Sequence, residues 1–169
     1  MNMGMSSSRH LARSLMVVSL LSAHSAWAYS IRGRVISVSD GDTITVLDNA
    51  KTQHKIRLAG IDAPEKKQAF GQVSKKRLSD MVFDREVTLD CGKTDRYRRN
   101  ICIVMVNGHD ANLAQVKSGM AWWYKKYQKD QTAQQRAAYE AAETAARVGK
   151  MGLWQDANSV APWDFRRAK

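Results

Sequence analysis

Histidine and cysteine are scarce in this chain, four and two among 169 residues. Two of the histidines, His10 and His24, fall within the first 28 positions. The remaining His54 and His109 stand apart, and nothing in their spacing suggests an acid/base pair. With no Cys/His cluster, a zinc site is not expected. No apolar run reaches the roughly 18 residues that a membrane span needs. Acidic residues are also in deficit, 16 against 27 lysines and arginines. No internal repeat, second domain or low-complexity linker is visible, so a single domain is expected.

What the first stretch does contain is ordered. Arg9, His10 and Arg13 precede the short apolar run "LMVVSLLSA", which leads into "HSAWA". A charged region, a short greasy region and a small-residue cleavage site read as a signal peptide over residues 1–28. Export to the periplasm or the medium is expected, with the domain proper over 29–169 and no stable membrane association once the leader is gone. Losing Arg9 and Arg13 and no acid lowers the formal net charge of +11 by two, to +9. Such a surplus points to polyanionic partners: nucleic acid, acidic lipid or acidic polysaccharide. Cys91 and Cys102 would meet an oxidising compartment. An even count in an exported chain favours a bridge between them; two unpaired thiols are the alternative.

The pattern along the chain is β first, then α. "IRGRVISV" (31–38), "ITVLD" (44–48) and "QHKIRLAGID" (53–62) are rich in β-branched and alternating residues. "REVTLDCG" and "NICIVMVNG" read as two more strands around the polar loop 93–100. A helix is expected over 66–83 from Phe70, Val73, Leu78, Met81 and Val82, a second over 110–121, and a third, alanine-rich, over 131–147. The expected fold is therefore mainly β with α (α+β): a five-stranded barrel with three helices. The OB-fold is one such barrel, and it binds oligonucleotides on its exposed face. The ending "APWDFRRAK" reads as a basic tail with Trp163 packed down.

The few carboxylates are the informative residues. "SDGDT" sets Asp40 and Asp42 around a glycine at a strand junction, and "IDAPE" places Asp62 and Glu65 around Pro64. Proline keeps Ala63 out of the helical conformation, which can hold the Ala63 carbonyl beside the Asp62 carboxylate. Oxygen-only ligands suit Ca²⁺ or Mg²⁺. Arg57 and the cluster "DRYRR" (95–99) add guanidinium groups, which bind phosphate bidentately. Asp42, Asp62 and Ala63 for a metal, Glu65 as base, and Arg57 and Arg99 on the phosphate make a complete set for phosphodiester hydrolysis. Arg96 and Tyr97 are candidate substrate contacts in the same cluster. "GMAWWYKKYQK" (119–129) interleaves aromatics with lysines, as single-stranded nucleic acid binding requires. Trp122 and Trp123 read equally as core.

"SDGDT", "IRLAGIDAPE" and "TDRYRR", in this order, resemble the three signature segments of the staphylococcal nuclease family. The similarity runs from about Ile31 to Trp154. It implies a five-stranded OB-type barrel with three helices, and a monomeric endonuclease of low sequence specificity. Such an enzyme cuts DNA and RNA with one Ca²⁺ and leaves 3′-phosphate ends. It implies Arg57, Glu65 and Arg99 as catalytic residues, Asp42, Asp62 and Ala63 as metal ligands, and Lys125 and Tyr127 against the bound nucleotide. Departures from the family are Ala63 in place of threonine, Arg98 in place of glycine, and Lys125 in place of a tyrosine. An OB-fold that binds nucleic acid without cutting it is the competing expectation, and it leaves Asp42, Asp62 and Glu65 without a shared purpose. A cationic protein acting on membranes rests on charge alone.

Overall fold

The computed structural model describes residues 29–168. The expected leader lies outside the described residues. Five long strands carry the fold: β1 (Tyr29–Val38), β2 (Thr43–Asp48), β3 (Gln53–Leu58), β5 (Glu86–Thr94) and β6 (Asn100–Val106). Two-residue strands β4 (Ile61–Asp62), β7 (His109–Asp110) and β8 (Trp122–Trp123) fill the gaps. The sheet runs β3-β2-β1-β5-β6-β7, and β3 also pairs in parallel with β6, which closes the five long strands into a barrel. Closure removes the open edges that a flat sheet would present.

The inward residues follow from alternation. Val35 and Val38 of β1, Ile44 and Val46 of β2, Ile56 and Leu58 of β3, Leu89 of β5 and Val104 of β6 are buried together. The alternation in β1 slips by one between Val35 and Ser37, where the register with β2 shifts at a bulge and turns Ile36 outward. Gly33 is required by close approach, since a Cβ there would meet the Leu47 carbonyl oxygen at 2.3 Å.

Helix α1 (Gly71–Val82) lies between β4 and β5, and α2 (Ala111–Lys117) and α3 (Ala133–Val148) follow β7 and β8. Thr132 and Gln135 form a reciprocal capping box that starts α3. The three expected helices are these. A fourth, α4 (Pro162–Arg167), stands where the sequence reads as a tail; Pro162 at its first position is preset for a helix start. Two boundaries also differ from expectation. The third strand breaks at Gly60, whose φ of +73° ends β3 and re-aims the chain into β4. Helix α1 begins five residues late because 66–70 form turns that end at Phe70 with φ +64°.

Buried polar side chains fasten the layers. Asn112 of α2 accepts from the Val104 N–H (3.1 Å) and donates to the carbonyls of Ala59 and Cys102 (both 3.0 Å). Gln115 donates to the Gly41 carbonyl at 2.9 Å and so fixes the β1–β2 loop from beneath. Cys91 and Cys102, paired residues of β5 and β6, are joined by a disulfide and fully buried. The bridge closes a loop of sequence separation 11, which stabilises a chain by about 3 kcal/mol through loop entropy. It anchors the base of the 93–100 loop.

Candidate active site

The site forms where three chain segments meet at one end of the barrel. The β1–β2 loop brings Asp42, β3 brings Arg57, and β4 with its following turn brings Asp62, Ala63 and Glu65. Arg57 is the hub. Its Nη1 donates to Asp42 Oδ2 at 2.8 Å and its Nη2 to Asp62 Oδ1 at 2.9 Å, with a third bond to the Ile61 carbonyl at 3.3 Å. Both aspartates are nearly sealed from solvent, 6% and 1% exposed. Asp42 is oriented further by the Ala63 N–H on Oδ2 (2.9 Å) and the Thr43 hydroxyl on Oδ1 (3.1 Å). The Ala63 backbone is thereby held against Asp42 through its N–H.

Crowded, buried carboxylates resist ionisation. Burial, then the neighbouring Asp42 charge, pushes the Asp40 carboxyl up to about 6. Asp62 is likewise raised by burial, which outweighs the opposing hydrogen bond from Arg166 and the charge of Arg57. For Arg57, burial alone would disfavour the cation, but Asp42 and Asp62 more than offset it and its pKa is raised.

These acids also suit a cation. The Asp42 and Asp62 carboxylates, joined through Arg57, and the carbonyl of Ala63, whose N–H meets Asp42, are hard oxygen donors, the donor chemistry that Ca²⁺ takes. Among the described residues no three His, Cys, Asp or Glu side chains form a metal-holding group by themselves. A dication here would complete its shell with the carbonyl, water and substrate oxygens, as an open site allows. The donor set fits.

Glu65 lies beside Asp62 at the rim, 37% exposed. Arg99 is turned onto Asp95, with Nε on Oδ2 at 2.8 Å, and its Nη1 reaches the Thr43 hydroxyl at 3.5 Å. Burial would raise the Asp95 carboxyl, but bonds from the Arg99 backbone and side chain lower it overall. The 95–98 turn is closed by Arg98 N–H on the Asp95 carbonyl, with Arg98 at φ +61°, a conformation that glycine adopts without strain.

A groove of about 1130 Å³ collects Asp42, Arg57, Asp62, Ala63, Glu65 and Arg99. Arg96, Tyr97 and Tyr127 are also on its wall. Tyr97 is 63% exposed and Tyr127 46%, with the Lys93 ammonium 5.1 Å from the Tyr127 ring centroid. Lys125 is placed elsewhere. Its ammonium sits over the Trp123 ring at 4.8 Å and near Glu140, and it lines a neighbouring cleft, while Lys126 and Lys129 face the groove. The 3₁₀ turn over Lys125–Asp130 rotates this residue away. Trp122 and Trp123 are both core, 4% exposed.

Sequence reasoning missed three participants. Gln68 accepts the Glu65 N–H at 3.0 Å and fixes that turn. Asp95 holds Arg99. Arg166 of α4 donates to Asp62 at 2.7 Å and to Glu65 at 2.8 Å, across more than a hundred residues of sequence. The doublet Arg166–Arg167 after Pro162 was the available signal; nothing in it indicated a direction.

The family model described as staphylococcal nuclease homologue matches residues 55–156. That stretch contains Arg57, Asp62, Ala63, Glu65 and Arg99; Asp42 and α4 lie outside it. The chain is 46% identical over 134 residues to an uncharacterized endonuclease of Haemophilus influenzae, covering 79% of this chain and 72% of that protein. It is 43% identical over 152 residues to a micrococcal nuclease of Shigella flexneri (85% and 84% covered). It is 40% identical over 157 residues to protein ParB of Escherichia coli (88% and 85% covered).

Proposed function

Because the chain belongs to the staphylococcal nuclease family and is a nuclease, we propose that it is an exported, calcium-dependent endonuclease of low sequence specificity. It cuts DNA and RNA as a monomer and leaves 3′-phosphate ends. One observation carries this reading. A half-buried Arg57 bridges two buried aspartates at the floor of a groove whose walls are basic and aromatic. A module that only bound nucleic acid would need the walls and not the floor.

In this reading Asp42, Asp62 and the Ala63 carbonyl hold one Ca²⁺. When bound, the ion polarises the scissile phosphate and orients water. Arg57, fixed by its two aspartates, presents its remaining donor capacity to the phosphate oxygens as negative charge builds on them. Arg99 would join it by leaving Asp95, on which its side chain now rests. Glu65, at the rim where water enters, takes a proton from the attacking water as its oxygen bonds to phosphorus. The bond from phosphorus to the 5′ oxygen breaks, the 5′ oxygen picks up a proton from solvent, and a 3′-phosphate and a 5′-hydroxyl remain. Tyr97, Tyr127 and Arg96 support the flanking nucleotides by stacking and phosphate contact, and Lys126 and Lys129 take the role first assigned to Lys125. Low specificity follows from stacking, since every base has a π face.

Export rests on the order of charge, apolar run and small residues in positions 1–28, and places the enzyme in the periplasm or outside the cell. Among the described residues no helix is long and apolar enough to cross a membrane. The test is digestion of plasmid DNA, single-stranded DNA and RNA with Ca²⁺, Mg²⁺ or EDTA, followed by end-group analysis. Cleavage with Ca²⁺, loss in EDTA and 3′-phosphate ends are expected. Undiminished cleavage in EDTA would remove the metal from the account.

A further inference from the structure

Arg166 has no part in the reaction as described, yet it is tightly engaged in the site. Nη2 donates to Asp62 Oδ2 at 2.7 Å, while Nη1 reaches Asp62 Oδ1 at 3.3 Å and Glu65 Oε1 at 2.8 Å. One guanidinium thus neutralises a proposed metal ligand and the proposed base together. The helix that carries it is firmly seated. Trp163 stacks flat on Tyr124 with centroids 5.1 Å apart and meets Trp122 edge-on at 6.5 Å. Gln68, which fixes the Glu65 turn, also donates to the Val160 carbonyl at 2.6 Å, just ahead of α4. The turn bearing Glu65 and the segment bearing Arg166 are therefore one assembly. The adjacent Arg167 instead pairs within α4, to Asp164 at 3.4 Å.

We infer that Arg166 is a third active-site arginine that exchanges partners during the reaction. It holds Asp62 and Glu65 until a metal arrives, yields Asp62 to the metal, and then binds a phosphate of the polynucleotide substrate. This rests on Asp42 and Asp62 being the metal pair. The Asp62 oxygen that takes the guanidinium from the groove side cannot take a calcium ion from the same side. A dication and an arginine also repel. Once displaced, the guanidinium stays tethered by α4 in the groove that it lines with Arg57 and Arg99. The planar fork that fits a carboxylate fits a phosphate equally well. The exchange frees a Glu65 oxygen to accept a proton from water, so metal and substrate together expose the base.

The effects on metal and on substrate have opposite signs, which a merely structural role would not produce. A positive charge within several ångströms of a dication in a water-rich groove weakens its binding on the order of tenfold. The experiment compares wild type, Arg166→Gln and Arg167→Gln. Calcium is titrated calorimetrically without nucleic acid, and KM for single-stranded DNA is measured at saturating Ca²⁺. Arg166→Gln should bind calcium about tenfold more tightly and show a KM raised several-fold, while Arg167→Gln, which also lines the groove but pairs with Asp164, moves calcium affinity by less than about twofold. Arg166→Lys, which keeps the charge and loses the fork, should leave calcium affinity near wild type and still raise KM. Calcium affinity unchanged or weakened in Arg166→Gln, or an unchanged KM, overturns the exchange. A wild type that shows no calcium binding overturns the metal reading beneath it, a distinct result.

Discussion

Replacing Arg57 with glutamine removes the cation that bridges Asp42 and Asp62, at 2.8 and 2.9 Å from their oxygens. The two carboxylates remain where they were, 6% and 1% exposed. Breaking a buried ion pair on one side costs about 3–5 kcal/mol, because the other charge is stranded. Here the loss is tempered. Arg166 still serves Asp62, and Asp42 keeps the Ala63 N–H and the Thr43 hydroxyl. About 2–4 kcal/mol in metal-free buffer is expected, a fall in the urea midpoint of roughly 1–2 M. Two further measurements isolate charge from shape. Added Ca²⁺ should return part of the loss, since it supplies the missing positive charge to the native state alone. The double variant Arg57→Gln with Asp42→Asn should be less damaged than the sum of its singles, by about 1–2 kcal/mol. A loss under about 1 kcal/mol, or strict additivity, would refute the view that Arg57 is held by these two acids.

Three other outcomes follow from the same structure. Cys91→Ala with Cys102→Ala should cost about 3 kcal/mol, read as a lower melting temperature, with the 93–100 loop cut first in limited proteolysis; equal melting temperatures would contradict it. Arg98→Gly should raise stability by about 0.5–1 kcal/mol by relieving a left-handed φ, and a loss would show that the arginine side chain contributes more than its backbone costs. Burial first pushes the Asp110 carboxyl up, its bonds from Leu113, Tyr139 and Asn112 notwithstanding. A raised native pKa penalises the charged form, so this residue's penalty is absent below the ordinary carboxylate range and grows as pH rises past it. Asp110→Asn keeps the helix cap, and its stability relative to wild type should therefore improve from pH 4 to pH 7; a difference independent of pH would refute the burial argument.

The barrel was legible because its strands alternate over short lengths between clear turn signals, as in Ile44–Val46 and Ile56–Leu58. The floor of the site was legible for a different reason. Asp42, Arg57, Asp62 and Glu65 come from adjacent segments of a hairpin-rich stretch, where little chain separates groups that meet. Arg166 was not legible. It reaches Asp62 from 104 residues away, and long-range packing of Trp163 on Tyr124 and Trp122, with the Gln68–Val160 bond, sets its direction. Lys125 lies outside the groove for a local reason: within a 3₁₀ turn neighbouring lysines point to different sides, so spacing from the tryptophans does not settle which one enters the groove. The fourth helix escaped notice because six residues give too few turns for a period to show, although Pro162 at its start is a recognisable sign.

The central claim is that Glu65 takes the proton from the attacking water above the Asp42–Asp62 pair. The most direct test is single-turnover cleavage of an end-labelled DNA strand by Glu65→Gln at saturating Ca²⁺, with binding of the same strand measured in parallel. The account predicts a rate lowered by about two to four orders of magnitude with affinity for the strand within a few-fold of wild type. A rate near that of wild type would contradict it.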